Sequence, residues 1–379
     1  MERMIDKIVA VIKFFLTFFI KEKPEYDSRA DNADCLYKIK RVAFYNGCED
    51  NRSDRYRVYN IVNALREKKI IVDIYKDKSI CYLLDAINYD VLIVFRENRY
   101  RFLRWKRVER HLKRINMPVI YDTDDFTIEK ENDRATRNIL KIINEVDAIT
   151  VTTDYLKNQF RNRTGKKTYV IKNTINDDQL FMAKKIIKIR SIDDTVKIVY
   201  QSGTPTHNKD FLIAQKALIK ILREYRNCEL HIFGHLEISD ELKVYSKQIV
   251  FHEYMDYLLL QFYVSEMDIN IAPLQINSFN NSKSELKIFE AALLKIPTVC
   301  SPIPSYEAII EQGENGYIAY NDEEWFQYLS ELIEDKEKNQ RMGQNAYNEF
   351  ISYFYIQNEI EKVIQIYEDV CSEKKKILN

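Results

Sequence analysis

Glycine is scarce in this chain: only seven of its 379 residues are glycine, where about 7% is typical of globular proteins. Each glycine is therefore a candidate for a backbone position that no side chain can occupy. The chain also has no formal net charge, because 58 Lys and Arg balance 58 Asp and Glu. That balance excludes a global basic surplus of the kind that drives nucleic-acid binding. With 46% hydrophobic and 31% charged residues, the composition also excludes a disordered or collagen-like chain.

Paired cysteines are absent as well. The six cysteines are scattered and form no CxxC pair, so we expect reduced thiols in a cytosolic protein and no disulfide framework. His231 and His235 are four residues apart, but the pattern around them indicates a strand end. The sequence therefore gives little support for a metal site.

No apolar run is long enough to span a bilayer. Residues Ile8–Ile20 are apolar except for Lys13 and Thr17, but a spanning helix needs about twenty apolar residues. No small-residue cleavage site of a signal peptide follows. Two alternatives remain, a helix lying on a membrane surface and a helix docked on the protein's own surface. We favour the first and assign residues 1–32 to an amphipathic membrane-surface helix and its tether.

Short apolar runs alternate with helix-period segments from Lys40 onward, which is typical of a parallel sheet with helices on both faces. The predicted strands of a first half are Val42–Tyr45, Ile70–Tyr75, Val91–Phe95, Val119–Tyr121, Ala148–Thr152 and Tyr169–Lys172. After a polar, basic passage from Met182 to Asp194, a second series comprises Lys197–Tyr200, Glu229–Phe233, Ile249–Phe251, Ile269–Ala272 and Thr298–Ser301. The predicted helices include Tyr56–Lys68, Phe102–Ile115, Ala135–Val146, Phe211–Tyr225, Glu285–Lys295 and Asn358–Cys371.

The sequence thus predicts an α/β fold with two doubly wound halves and closing helices. We place one domain at residues 38–185, a second at 190–350, and a C-terminal helix at 351–379 that could cross back to the first domain. The length of 379 residues agrees with more than one domain. Ligands of such sheets bind outside the carboxyl ends of the strands, so two facing halves would share one site in the cleft between them.

The segment from Tyr200 to Phe211 is the first that indicates chemistry. Gly203 ends a strand, and Thr204, Thr206, His207 and Lys209 come just before a long amphipathic helix. A helix N-terminus carries free N–H groups and a partial positive charge, and a lysine adds a full one, so the segment suits a phosphate. The spacing is not that of a P-loop. An ordinary strand-to-helix turn with a solvated lysine explains the same residues.

The second segment contains a glutamate in apolar company. Glu290 lies in the predicted helix Glu285–Lys295, between Phe289 and two alanines. A carboxylate that faces the cleft could accept both hydroxyls of a ribose, and Lys287, about one turn earlier, could pair with it or reach a phosphate. The simpler explanation is a Lys–Glu contact on a solvated face.

These segments, in this order, resemble the glycosyltransferase group 1 family, whose members are retaining enzymes of the GT-B fold, and in particular its surface-polysaccharide branches. The resemblance extends over nearly the whole chain after residue 40. It rests on four blocks of the second half: Gly203 to Lys209, Asp268 to Leu274, Glu290 to Ser301 and Glu311 to Tyr317. The first half agrees more loosely, at Asp54–Asn60, Tyr121–Asp125, Val151–Thr153 and Ile171–Asn173.

One departure from the family concerns its signature of two glutamates separated by seven residues. Eight residues before Glu290 the chain has Ser282. Glu285 does not substitute for the missing glutamate, because five positions on a helix turn it about 140° away. An arginine that the family has near Gly203 is also absent, which leaves Lys209 as the main cation, with His207 as a second candidate. We interpret these changes as divergence.

The resemblance implies two Rossmann-like domains that face each other across a cleft. It also implies transfer of a sugar from a nucleoside-diphosphate sugar to a hydroxyl of a glycan or lipid-linked acceptor, with retention and without metal or cofactor. The donor-binding residues would be Gly203, Thr204, His207, Lys209, Ser282, Glu285, Leu286, Lys287 and Glu290. The catalytic residues would be Lys209, Asp124 and Asp125. The acceptor-binding residues would be Arg55, Arg57 and Asp122.

Two other functions stay open at this point. One is a catalytically silent GT-B partner or glycan-binding subunit, which Ser282 suggests, and the other is a sugar-nucleotide epimerase of similar fold. For the transferase we expect a role in cell-surface polysaccharide or glycoconjugate synthesis. We also expect a cytoplasmic location at the inner face of the membrane, contact with the membrane through residues 8–20, and no nucleic-acid partner.

Overall fold

The computed structural model describes residues 35–47, 53–75, 88–96, 110, 116–129, 133–188, 190, 194–203 and 208–376. These residues form two six-stranded sheets, and every strand pair in them is parallel. The first sheet has the order β2-β1-β3-β4-β5-β6. Its strands are β1 (Arg41–Asn46), β2 (Ile71–Tyr75), β3 (Val91–Phe95), β4 (Val119–Asp122), β5 (Ala148–Val151) and β6 (Thr168–Val170).

The second sheet has the order β12-β11-β10-β7-β8-β9. Its strands are β7 (Val196–Gly203), β8 (Cys228–Gly234), β9 (Ile249–His252), β10 (Ile269–Ala272), β11 (Thr298–Cys300) and β12 (Tyr317–Ile318). In both sheets the chain moves outward from a central pair in two directions, which is the doubly wound arrangement. The predicted fold class is confirmed.

Helices connect the strands. In the first half, a π-helical turn (Arg55–Tyr59) runs into α1 (Asn60–Glu67), and α2 (Arg134–Glu145), α3 (Asp154–Thr164) and α4 (Asp177–Ile187) follow. In the second half the helices are α5 (Asn208–Glu224), α6 (Asp240–Lys243), α7 (Tyr257–Val264), α8 (Ser278–Asn281), α9 (Leu286–Leu293), α10 (Pro304–Glu307), α11 (Asp322–Glu334) and α12 (Lys336–Phe354). The last helix is α13 (Ile356–Lys376).

The eleven predicted strands are present with end shifts of up to three residues, and β12 was not predicted. The polar, basic passage from Met182 to Asp194, expected to link the two halves, contains most of α4. This helix begins with a capping box between Asn176 and Gln179. The predicted helix Phe102–Ile115 and the membrane-surface segment 8–20 lie outside the described residues. Within the described part of the chain, no helix combines the length and the apolar character needed to cross a bilayer.

Helix α13 joins the C-terminus to the first half. Its buried residues Ile360, Val363 and Tyr367 belong to the same apolar cluster as β1 and α1. Tyr56, in contrast, leaves the first half and packs in the second, with its ring centroid 5.9 Å from that of Phe289. Helix α13 and Tyr56 therefore both tie the two halves together.

Glycine has a clear packing role at Gly343 in α12. A Cβ at this position would overlap the backbone carbonyl of Lys295, and Lys295 itself has a left-handed φ of 58°. The absence of a side chain therefore lets α12 approach the end of α9, the helix that carries the predicted glutamate.

Candidate functional site

A cleft of about 770 Å³ lies between the two halves, at the carboxyl ends of both sheets. The first half contributes residues that follow β1, β3 and β4: Ser53, Arg55, Tyr56, Arg96, Asp124 and Asp125. The second half contributes the end of β7, the turns after β8 and β9, and one face of α9. The cleft has the position expected for the ligand site of doubly wound sheets.

Helix α9 is amphipathic and turns its polar face into the cleft. Lys287 and Glu290 stand three residues apart on the helix and both line the cleft, as expected for one helix face. Lys283, in the irregular segment just before α9, lines the cleft as well. The opposite face of α9 is apolar and buries Ile288, Phe289, Ala291, Ala292 and Leu293. The burial of that face fixes the direction in which Lys287 and Glu290 point.

Glu290 is held by the other half of the molecule. Its Oε1 accepts a hydrogen bond from the Tyr56 hydroxyl. Burial raises the pKa of Glu290, while the Tyr56 hydrogen bond and the nearby charges of Arg55 and Lys287 act to lower it. The predicted ribose anchor therefore lies in the cleft, with one carboxylate oxygen occupied by a tyrosine of the first half.

Arg55 lies against the second half and not beside the acidic residues of its own half. Its guanidinium carbon is 3.8 Å from the ring centroid of Tyr257, a cation–π distance. The Tyr257 hydroxyl accepts a hydrogen bond of 2.9 Å from Gln179 Nε2. Burial raises the pKa of Tyr257 to about 12, so its hydroxyl stays protonated at neutral pH.

An arginine that sequence reasoning missed organises the acidic side of the cleft. Arg96, which follows β3 with a left-handed φ of 47°, donates from Nε to Asp124 and from Nη2 to Asp125, each at 2.5 Å. Burial raises the pKa of Asp124, and Arg96 opposes that shift. The two aspartates expected to be catalytic are thus in the cleft and are tied to one cation.

Arg57 and Asp122 require a correction. They were expected to bind the acceptor, but both are buried and neither is among the described residues that line the cleft. Arg57 donates to Asp122 from Nε at 3.0 Å and from Nη2 at 2.5 Å, and its Nη1 bonds the Ile171 carbonyl. Thr150 donates a further bond of 2.6 Å to Asp122. The pair instead links the π-helical turn to β4 and its neighbours.

Three of the expected donor residues lie outside the cleft lining. The Ser282 hydroxyl is buried and donates to the Phe279 carbonyl at 2.6 Å, and the Glu285 side chain is buried, with its pKa raised by burial to about 7. Lys209 is exposed on the first turn of α5. Of the described residues, Leu286, Lys287 and Glu290 are the predicted donor contacts that do line the cleft.

The glycine segment is described only in part. Gly203 ends β7 beside Gly234, after a register shift in the pairing of β7 with β8. Thr204 and His207 lie outside the described residues. Gln201 and Ser202, at the end of the same strand, line the cleft.

A sequence model of one protein family matches the second half of the chain. Residues 195–335 match Glycosyl transferases group 1. This range contains the helix that carries Lys287 and Glu290. A comparison with curated proteins gives no match.

Solved structures resemble a larger part of the chain. Anabaena HepE in complex with UDP-glucose superposes with a TM-score of 0.63 at 12% identity, over 87% of this chain and 99% of that one. Sucrose-phosphate synthase from Thermosynechococcus elongatus gives 0.62 at 11% identity, over 88% and 100%. S. aureus TarM gives 0.57 at 15% identity over 76% of this chain, which spans only 58% of TarM. At these identities the likeness shows the fold, which is the GT-B fold.

Proposed function

We propose that the protein is a glycosyltransferase that moves a sugar from a nucleoside-diphosphate sugar to a hydroxyl of its acceptor, with retention at the anomeric carbon. The observation that carries the proposal is the position of Glu290. It lies on the polar face of α9, inside the cleft of a GT-B fold, within the range that matches the group 1 family.

The donor is proposed to lie on the second half, with its ribose hydroxyls on the Glu290 carboxylate. One oxygen of that carboxylate is bound by Tyr56, so ribose binding would have to share or replace this bond. Charge develops on the departing diphosphate during transfer. Preorganised cations or N–H donors aimed at such charge are typically worth about 3–4 kcal/mol each, and Lys287 on α9 and Lys283 just before it are the described lysines that line the cleft. We propose that they fill the role that a metal ion fills elsewhere.

The acceptor is proposed to bind against the first half, at Asp124 and Asp125. The carboxylates are fixed by Arg96 and could accept hydrogen bonds from sugar hydroxyls. The raised pKa of Asp124 suits a carboxyl group that exchanges a proton with a hydroxyl. Arg55, placed between the halves by Tyr257, is proposed to contact the acceptor or its phosphate.

A lipid-linked acceptor would account for the apolar segment Ile8–Ile20, which we propose holds the protein at the cytoplasmic face of a membrane for surface-polysaccharide or glycoconjugate synthesis. The test is membrane fractionation of the full chain beside a chain that starts near Asp31. We expect the full chain to sediment with membranes and the shorter chain to stay in the supernatant. Sedimentation of both would exclude the segment as the anchor.

The donor site is tested by a thermal-shift screen of the full chain with UDP, GDP, ADP and TDP and with their common sugar conjugates. HepE and TarM were crystallised with UDP or a UDP-sugar, so UDP is the first candidate. A ligand that binds only the native state raises the melting temperature, and we expect a rise with one nucleotide that Glu290→Ala abolishes.

The matched control is Glu241→Gln, which removes a carboxylate from an exposed position on α6. It should leave the shift unchanged. A shift that survives Glu290→Ala would contradict the ribose assignment. Binding without transfer or hydrolysis of any donor would support the silent-partner alternative, and an epimerised product without acceptor would support the epimerase. Where transfer occurs, NMR of the product's anomeric proton tests retention, and activity in EDTA tests metal independence.

A further inference from the structure

Two buried hydrogen-bond donors in the cleft have no acceptor among the described residues. Lys287 Nζ and Gln201 Nε2 are both shielded from solvent and, among the described residues, neither has a hydrogen-bond partner. Both residues line the cleft. A buried donor left unpaired costs about 1–3 kcal/mol, and native proteins contain few of them. Two such donors at one cleft wall indicate a ligand that supplies acceptor atoms.

Lys283 adds a second cation to the same wall. It lies in the irregular segment before α9, four residues before Lys287 in sequence, and its Nζ is 5.5 Å from the ring centroid of Phe279. Burial lowers the pKa of Lys283. Burial and then the neighbouring Lys283 lower the pKa of Lys287 to about 7. The two ammonium groups repel each other, so the arrangement is costly until an anion enters.

The nearest carboxylates do not neutralise these lysines. Asp210 attracts both, but its Oδ1 accepts from the Gln275 backbone at 3.0 Å and from Asn280 Nδ2 at 2.7 Å. Glu290 is bonded to Tyr56. Neither lysine forms an ion pair with a described carboxylate within salt-bridge distance. Beneath Lys287 lies the ring of Tyr200, with its centroid 5.1 Å from Nζ, a support that still leaves the ammonium donors unsatisfied.

We propose that Gln201, Lys283 and Lys287 form the diphosphate subsite of the cleft. Each lysine neutralises one phosphoryl group, and the Gln201 amide donates to a phosphate oxygen. The proposal rests on the proposed function and makes it more specific, because it assigns diphosphate binding to the wall formed by Lys283, α9 and the end of β7. The exposed Lys209 is not part of the subsite. The charges also match, since a sugar-linked diphosphate carries two negative charges and the subsite two positive ones.

The experiment measures binding of two probes, inorganic pyrophosphate and UDP, by isothermal titration calorimetry at pH 7.5 and fixed salt. The full chain is compared with Lys283→Met, Lys287→Met and Gln201→Leu. Lys247→Met, an exposed lysine of the same half, is the charge-matched control, and Lys209→Met tests the competing assignment. We expect Lys283→Met and Lys287→Met each to weaken pyrophosphate binding at least tenfold, Gln201→Leu to weaken it several-fold, and Lys247→Met to leave it unchanged.

The melting temperature without ligand separates this role from a structural one. Lys287→Met removes a buried cation without a partner, so we expect the free variant to melt at the same temperature as the parent or higher. Loss of binding in a variant with a lowered melting temperature, or unchanged binding in both lysine variants, would overturn the subsite. So would a loss of binding confined to Lys209→Met.

The two proposals fail in different ways. If UDP binds the parent, Lys283→Met and Lys287→Met equally, the subsite is wrong and the donor function stands. If pyrophosphate binding depends on Lys283 and Lys287 but no nucleotide or nucleotide sugar binds more tightly than pyrophosphate, the subsite stands and the proposed donor is wrong.

Discussion

The buried ion pair of Arg57 and Asp122 gives a direct test of the corrected acceptor site. The side chains are 0% and 4% exposed, and the pair forms two direct hydrogen bonds. If it serves the fold, removing one partner must leave an uncompensated buried charge. If it serves the acceptor, the same change must affect turnover with little effect on stability.

The structure sets the size of the effect. Arg57→Met would leave the Asp122 carboxylate with Thr150 as its side-chain donor among the described residues. Asp122→Leu would leave the guanidinium with the Ile171 carbonyl. Breaking a buried pair from one side typically costs about 3–5 kcal/mol, whereas replacing both partners by apolar residues is often close to neutral. We therefore expect each single variant to lose about 3–5 kcal/mol of unfolding free energy, and the double variant to lose less than either.

The assay is urea unfolding followed by circular dichroism, with the transitions of the two halves fitted separately where they do not coincide. Arg55→Ala is the control, because Arg55 lies two residues away but lines the cleft. Its loss should cost about 1–2 kcal/mol, the size of a partly buried cation–π contact. Single variants that unfold within 1 kcal/mol of the parent, together with lost acceptor-dependent turnover, would refute the structural assignment.

Three further predictions concern α9 and its neighbours. In the free protein the pKa of Lys287 is about 7, with Lys283, Asp210 and Glu290 acting on it. A bound diphosphate should raise that pKa, so binding above pH 7 should take up a proton. The affinity for a nucleotide sugar should then fall about tenfold per pH unit above pH 7. Calorimetry in buffers of different ionisation enthalpy measures this uptake, and its persistence in Lys287→Met would contradict the assignment. Tyr56→Phe frees the Glu290 oxygen, so UDP should bind up to about tenfold more tightly, given about 0.5–1.5 kcal/mol for one hydrogen bond; weaker binding would mean that Tyr56 positions Glu290. Gly343→Ala forces a Cβ against the Lys295 carbonyl and should lower the unfolding free energy by about 1–3 kcal/mol, whereas Asn345→Ala on the same helix should cost less; equal effects in a denaturation series would exclude the close approach.

The sheets were predictable because buried parallel strands are largely continuous apolar runs, such as Val91–Phe95 and Val119–Tyr121. Strand β12 has only two residues, too few for any periodic pattern. Helix α4 was missed because its basic residues, Lys184 and Lys185, dominate the passage, although the capping box at Asn176 and Gln179 was a readable signal.

The site was predictable where one helix carries it. Glu290 and Lys287 lie on one face of α9, whereas Lys283 lies in the irregular segment before the helix, where helical spacing does not apply. The contributions of Tyr56 and Arg96 could not be predicted, because each depends on how distant segments meet. Arg55 and Arg57 show the difficulty well. They are two positions apart in the same helical turn, yet Arg55 lines the cleft and Arg57 is buried.

Ser282 stands where the resemblance to the group 1 family leads us to expect a glutamate, and the charges around it suggest a physical reason. The Ser282 hydroxyl is satisfied within its own turn, and the adjacent residue brings the ammonium of Lys283 to the cleft. The acidic groups Asp124 and Asp125 come from the first half, opposite the lysines. A carboxylate beside Lys283 and Lys287 would compete with a phosphate for the same two cations. On the proposed function, the absence of this carboxylate leaves both lysines free for the diphosphate and leaves recognition of the sugar to Asp124 and Asp125. Restoring the residue by Ser282→Glu should therefore weaken pyrophosphate binding, and a gain in affinity would show that the lysines do not bind the diphosphate.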